Sequence, residues 1–309
     1  MSAIRIGTRG SALARWQSDH VASRLAALAP GIRIEIVEIT SAGDRIADVP
    51  LSHVEGTGFF TAAIERALAD REVDVAVHSY KDLPVAATPG LVVAAVPARG
   101  PVEDVLCARG GHTLQALPAG SRVGTCSARR TAQVTAARRD LEIRPLRGNV
   151  PTRVGRVARG ELDAIVLARV GLARLGLEAH ITQVFDIEDM LPAPAQGALA
   201  VQCRAGDARV ARLLAALDDE WTRRAVDAER TLLHALGGGC SVPVGASAAR
   251  EGDGLAMSAG VFDEAGRAVR ARVTGNDPLA LGHEAARRLL AAGAGDILAA
   301  FDKKAAMDV

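Results

Sequence analysis

A chain of 309 residues, 49% hydrophobic and 24% charged, is long enough for two or three domains and too apolar to be disordered. A net charge of +1 argues against a general nucleic-acid binder, and no apolar run approaches the roughly 18 residues that a membrane-spanning helix needs. Cys107, Cys126, Cys203 and Cys240 form no CxxC pair and have no histidine at metal-ligand spacing, so neither a disulfide framework nor a metal site is expected.

The opening MSAIRIGTRG enters a strand pattern without a basic and apolar signal segment, so a cytoplasmic protein is expected. Residues 4–7 read as a strand, 11–28 as an amphipathic helix and 32–40, with its alternating IRIEIVEIT, as a second strand. Residues 59–69 read as a helix and VDVAV (73–77) as a strand that runs straight into His78-Ser79-Tyr80-Lys81-Asp82-Leu83-Pro84. A second α/β series follows Pro97–Pro101, with strands near Val105 and at 122–124, 141–146 and 164–167, and helices at 128–138 and 152–159. The segment LPAPAQG (191–197) reads as a crossing, after which the apolar run 198–201 returns to the first sheet. From Trp221 the pattern becomes α+β: a helix to about Leu236, a glycine turn, strand-like runs near Val242, Leu255 and Ala268, and a helix at 279–292.

The domains expected are therefore residues 1–97 with 198–217, residues 98–197, and residues 218–309. The first two are α/β lobes around a cleft and the third is an α+β domain. Open α/β sheets bind ligands beyond the carboxyl ends of their strands, and the polar clusters of this sequence fall there.

Gly7-Thr8-Arg9-Gly10-Ser11 is a glycine-bracketed turn before a helix, whose free N–H groups favour an anion; it lacks GxGxxG and also reads as a plain turn with an N-cap serine. Lys81 and Asp82 follow a buried strand, where a structural ion pair is the competing reading. Gly124-Thr125-Cys126-Ser127-Ala128-Arg129-Arg130 repeats the strand, glycine and hydroxyl pattern with two guanidinium groups added. Arg144, Arg147 and Arg153 surround a turn, Arg174 lies in GLARLG, and Gln196 lies in the crossing segment.

Only Lys81, Lys303 and Lys304 among the 37 basic residues are lysines. Base composition accounts for the arginine excess as a whole, but arginines at strand-end turns suit a ligand with several carboxylates. Cys240, in GGGCSVPVG, sits in a turn too open for the usual buried, inert cysteine; its sequence neighbours offer no His or Asp partner for a thiol hydrolase, and only an approach of His234 in space would supply one.

Seven ordered motifs, TRGSALARWQ, HSYKDLP, GTCSARR, RPLRGNVPTR, GLARLG, LPAPAQGALAVQCR and GGGCSVPVG, make the sequence resemble the porphobilinogen deaminase (hydroxymethylbilane synthase) family from Ile4 to about Gly245. The resemblance implies two periplasmic-binding-protein-like lobes and a third domain carrying, through Cys240, a thioether-linked dipyrromethane cofactor. Four porphobilinogen molecules are then added head to tail with loss of ammonia, and the linear tetrapyrrole is released.

By resemblance Asp82 is the catalytic carboxylate that stabilises positive charge on pyrrole nitrogen and manages the proton. Lys81, Thr125, Ser127, Arg129 and Arg130 join Asp82 and Cys240 at the cofactor, while Arg9, Ser11, Arg147, Arg153, Arg174 and Gln196 bind porphobilinogen and the growing polypyrrole. The family implies a monomer acting on small molecules, without nucleic acid, membrane or metal. Cys126, Gln202, Thr57 and Gly238 depart from the commonest pattern, which has serine, glutamate, lysine and glutamate there. A non-enzymatic two-lobe protein that binds or senses a polycarboxylate would share the lobes and arginines but would have no need of Cys240.

Overall fold

A computed structural model describes residues 3–40, 61–239 and 242–307. The chain forms two compact units, Met1–Gly100 with Gly197–Arg224, and Pro101–Gln196 with Ala225–Val309. In chain order the first begins β1 (Ile4–Thr8), α1 (Ala12–Leu28), β2 (Ile34–Glu38), α2 (Ala62–Ala69), β3 (Val75–Ser79) and β4 (Leu91–Ala95). The second contributes β5 (Asp104–Ala108), β6 (Arg122–Gly124), α3 (Ala128–Ala137), β7 (Glu142–Arg144), α4 (Val150–Ala158), β8 (Ala164–Ala168), α5 (Arg169–Arg174) and β9 (Gln183–Val184). The chain then returns to the first unit as β10 (Leu199–Arg204) and α6 (Ala208–Ala215). Helix α7 (Glu220–Ala235) leads to β11 (Val244–Glu251), β12 (Gly254–Phe262), β13 (Ala268–Gly275), α8 (Pro278–Ala291) and α9 (Ala294–Met307).

The first sheet has the order β2-β1-β3-β10-β4, with β1 parallel to β2 and β3, and β10 antiparallel to both neighbours. Parallel pairing brings the carboxyl ends of β1 and β3 to one edge, which carries Arg9 and the segment after Ser79 together. Ile4, Ile6, Val75, Val77, Val201, Val21 and Leu25 fill one face, and Ile64, Leu68 and Ala76 join α2 to the other. Each such side chain contributes roughly 1.5–3 kcal/mol by leaving water.

The second unit repeats the plan as β7-β6-β8-β5-β9, with β6 parallel to β7 and β8, and β5 antiparallel to β8 and β9. Asp104, the first residue of β5, pairs with Ala168 at the end of β8, so it lies at the edge where the parallel strands finish. Strands β11, β12 and β13 form an antiparallel meander, and Phe262 packs with Ala132 and Leu191 of the same unit.

This is the α/β alternation followed by an α+β portion that the sequence predicts. The sequence reading misses β4, β9, α5, α6 and α9, and it ends β3 two residues early, because the ladder with β10 continues to Ser79. No helix among the described residues is long and apolar enough to cross a membrane.

Candidate functional site

In the first unit, Ser11 caps α1, its Oγ accepting from Ala14 N at 3.2 Å, and this turns the chain so that Arg9 and Ser11 face the end of β3. Past β3 a single 3-10 turn, Tyr80–Asp82, is pinned by Tyr80 N donating to Ala198 O at 3.0 Å; Tyr80 is buried, Lys81 half-buried and Asp82 exposed. Arg9, Ser11, Gln17, His78, Ser79 and Asp82 line one cavity of about 80 Å³. Gln17 Nε2 donates to Ser79 Oγ at 2.8 Å. The sequence therefore brings together Arg9, Ser11 and Asp82 as expected, and the structure adds Gln17, Ser79 and His78.

Burial pushes the His78 imidazole down to about 4, with hydrogen bonding to Gln202 opposing the shift and the Arg9 cation adding to it. A histidine outside the fold takes its proton near 6.5, so between pH 6.5 and 4 the unfolded chain binds more protons than the folded one. Stability is accordingly expected to fall as pH drops through that window, by about 3 kcal/mol from this residue alone. Urea unfolding measured from pH 7 to pH 4 checks this: His78→Gln should flatten that part of the profile, and an unchanged slope would assign it elsewhere.

In the second unit Gly124 lets the end of β6 pack tightly, since a Cβ there would meet Leu162 at 2.6 Å and Ile165 at 3.0 Å. Thr125 N is held by Arg144 O at 3.0 Å, Thr125 Oγ1 accepts from Ser127 N at 3.2 Å, and Ser127 caps α3. Cys126 Sγ donates to Leu146 O at 3.0 Å and accepts from Leu146 N at 3.1 Å, the hydrogen bonding that a hydroxyl would provide.

Arg129 and Arg130 converge on Asp104, which is fully buried. Arg129 Nη1 and Arg130 Nη2 each lie 2.7 Å from it, Arg130 Nε is at 3.2 Å, and Gln196 Nε2 adds a bond at 2.9 Å. These cations hold the Asp104 carboxyl far below the usual carboxylate range against the burial that opposes ionisation. Of the five N–H donors on each guanidinium, Arg129 places two, on Asp104 and Leu191 O, and Arg130 three, on Asp104 and Val166 O. Both have donors left for a further carboxylate. The sequence reading overlooks Asp104, although an acid directly before the apolar run Val105–Cys107 marks a charge at a buried strand that needs partners.

Asn149 caps α4, accepting from Thr152 N at 2.9 Å, which sets the turn between Arg147 and Arg153. Arg153 Nε donates to Gly148 O at 2.7 Å. Arg147 Nη2 is buried without a hydrogen-bond partner, which suits a carboxylate supplied from outside the protein. Arg174 ends α5, and burial pushes it down to about 10, so it remains cationic at neutral pH.

Helix α7 finishes with Gly237 N on His234 O and Gly238 N on Leu233 O, a paired closure in which Gly237 takes φ +68°. A Cβ on Gly238 would meet the side-chain methyls of Val242 at 2.8 Å and Leu233 at 2.9 Å, so a larger residue there has to displace them. Cys240, which follows this turn, lies outside the described residues, as does Thr57.

The family model described as porphobilinogen deaminase, dipyromethane cofactor binding domain, matches residues 4–212, and the model of the C-terminal domain of that family matches residues 223–291. Among curated proteins named porphobilinogen deaminase, that of Brevibacillus brevis is 47% identical over 301 residues, covering 97% of each chain. That of Acidothermus cellulolyticus is 48% identical over 307 residues, covering 97% of this chain and 92% of its own. That of Mycolicibacterium gilvum is 56% identical over 245 residues, covering 79% of this chain and 78% of its own.

Proposed function

The chain belongs to the porphobilinogen deaminase family, and from that premise we propose that it is a hydroxymethylbilane synthase, a transferase joining four porphobilinogen molecules head to tail on a dipyrromethane primer. Ammonia leaves at each addition, and hydrolysis releases the linear tetrapyrrole. The match of the cofactor-binding family model across residues 4–212 carries this reading and displaces that of a non-enzymatic polycarboxylate sensor.

When bound, the dipyrromethane supplies the pyrrole carbon to which the first substrate is joined. Cys240 is its proposed point of attachment, with Lys81, Asp82, Thr125, Ser127, Arg129 and Arg130 as its other contacts. The donor set fits such a group: Arg129 and Arg130 keep N–H groups beyond those given to Asp104, and the Arg147 donor stands unmatched. Arg9, Ser11, Arg147, Arg153 and Arg174 are assigned to the acetates and propionates of the incoming ring and growing chain. Gln196, fully buried against Asp104 and Val102, supports that assignment as a positioning residue behind the arginines rather than as a surface contact.

Asp82, exposed in the cavity beside Arg9, is the carboxylate set against the positive charge that develops on pyrrole nitrogen, and it takes up and returns the ring proton. The three-domain division, residues 1–97 with 198–217, 98–197 and 218–309, belongs to the proposal. A cytoplasmic monomer working on small molecules completes the proposal.

Porphobilinogen consumption with stoichiometric ammonia release tests the activity. Intact mass tests the attachment. The purified chain is expected to carry the dipyrromethane increment and to colour with an acidic aldehyde reagent, and Cys240→Ser should lack both. An unmodified wild-type chain, or a modified Cys240→Ser chain, refutes the attachment.

A further inference from the structure

Arg169 follows Ala168, the last residue of β8, which is the middle strand of the second sheet, and the roles assigned above make no use of it. Ala168 pairs with Asp104 on β5, and the ladder runs one step further, with Arg169 N donating to Glu103 O at 3.0 Å. Arg169 therefore stands at the strand-end edge that also carries Thr125, Ser127 and Arg147, where an open α/β sheet takes its ligand. By alternation Glu103 shares a face with Val105, the face packed by Val154 of α4 and Leu172 of α5, whereas Asp104 turns toward α3 with Arg129 and Arg130. Cations thus flank this edge on both faces.

The Arg169 guanidinium has five N–H donors and places one, on Nη1, with Glu103 Oε1 at 3.2 Å. The Arg169 side chain is 36% exposed and that of Glu103 26%, so the pair borders water and is weak beside the buried 2.7 Å pairs of Asp104. A carboxylate from outside can take two donors side by side, which Glu103 does not.

Free porphobilinogen would have to outcompete an acid already fixed beside the guanidinium. A chain joined covalently to the protein presents its acid arms at a local concentration on the order of millimolar or more, and the exchange then favours the chain. Such arms are plentiful. Two primer rings and four substrate rings, each with an acetate and a propionate, bring more carboxylates than the lysine and arginines assigned above.

We propose that Arg169 binds a carboxylate of the growing polypyrrole, with Glu103 holding the guanidinium in place until that carboxylate displaces it. The proposal rests on the family reading above. Removing the two partners of this pair then has opposite consequences: without Arg169 a later ring loses a hold, and without Glu103 it meets no competitor. A pair that only supported the fold would respond alike to the loss of either side.

The test mixes wild type, Arg169→Gln, Arg169→Lys, Glu103→Gln and the double variant Arg169→Gln with Glu103→Gln with porphobilinogen, quenches at intervals and weighs the chains intact, which gives the rate of each addition. Melting temperature and the dipyrromethane increment before mixing serve as controls for folding and cofactor loading. For Arg169→Gln the first addition is expected within about twofold of wild type and at least one later addition about tenfold slower. A bond between charged groups is worth roughly tenfold to a hundredfold, and giving up Glu103 returns up to about fivefold of it. Arg169→Lys, which keeps the cation, should recover part of the loss. Glu103→Gln should speed the same addition by about twofold to fivefold, and the double variant should match Arg169→Gln, since the competitor has nothing left to compete for.

Equal slowing by Glu103→Gln and Arg169→Gln, a first addition slowed as much as the later ones, or a loss of dipyrromethane loading in Arg169→Gln would overturn the proposal in favour of a structural role or a cofactor contact. Failure of the wild-type protein to form any adduct overturns the family reading and this proposal with it. A normal wild-type ladder with an unaffected Arg169→Gln variant overturns the proposal alone.

Discussion

Asp82→Asn is expected to lower kcat for porphobilinogen by about a thousandfold, with the first substrate unit still attached to the enzyme and the fold intact. The substitution preserves shape and removes only the negative charge and the ability to take a proton. A preorganised group facing developing charge is worth roughly a hundredfold to a thousandfold, and proton transfer by a positioned side chain roughly a hundredfold to ten-thousandfold. The two are not additive when one carboxylate serves both, so a thousandfold, about 4 kcal/mol of barrier, is the reasonable sum.

The fold should tolerate the change, because Asp82 is exposed in a single turn whose anchor is the Tyr80 backbone and not the carboxylate. Steady-state kinetics together with the mass ladder of enzyme carrying successive substrate units decides the matter. Turnover within tenfold of wild type would remove Asp82 from the chemistry. Asp82→Glu should fall between the two, since one added methylene moves the carboxylate by about 1 Å, enough to cost catalysis but not charge.

The strand-end location of the chemistry was legible because it follows from periodicity: VDVAV is a strand under any reading, so HSYKDLP had to fall beyond its end, where β1 also finishes. The helix starts at Ser11 and Ser127 were similarly open to inspection and the structure makes both into caps, whereas the helix read from residue 152 begins at Val150 behind an Asn149 cap. Partnership across the sheet was not legible. Asp104 precedes Arg129 by 25 residues and Gln196 follows it by 92, and only the pairing of β5 with β8 brings the acid to the arginines.

His78 was hidden for the opposite reason. Its motif was conspicuous, but its burial depends on α2, and its neighbour Gln202 on a strand that returns 124 residues later. A sequence displays local chemistry directly and long-range satisfaction of polar groups hardly at all, because any of many arginines matches a given acid until topology chooses.

Asp104→Asn should be the most destabilising single polar change in the second unit, at roughly 3–5 kcal/mol, because it removes the counter-ion from two buried guanidinium groups and leaves both charges in place. The contrast with a surface pair sets the scale. Arg15 and Asp19 also make an ion pair, at 3.2 Å, but both side chains are about half exposed, so Asp19→Asn is expected to cost no more than about 0.5 kcal/mol.

Burial works through the surroundings as well as the pair. Burial itself, followed by repulsion from Arg130, holds Arg129 below the ordinary arginine value against the pull of Asp104, so the acid is what makes the cluster tolerable. Since the folded chain keeps the Asp104 carboxyl well below the usual range, its contribution is fully present above the unfolded value near 3.8 and is lost as pH falls below it. That window lies under the one assigned to His78, so the two residues are separable in one pH series.

Urea unfolding of wild type, Asp104→Asn and Asp104→Asn with Arg130→Met supplies the measurement. The second substitution removes one of the stranded charges, so the double variant should recover part of the loss. A single variant within 1 kcal/mol of wild type, or a double variant less stable than the single, would mean that Asp104 is not what holds Arg129 and Arg130 in place. The same samples, weighed intact, report on function: with the arginines no longer fixed by Asp104, the fraction of chains carrying the dipyrromethane increment should fall even where the fold survives.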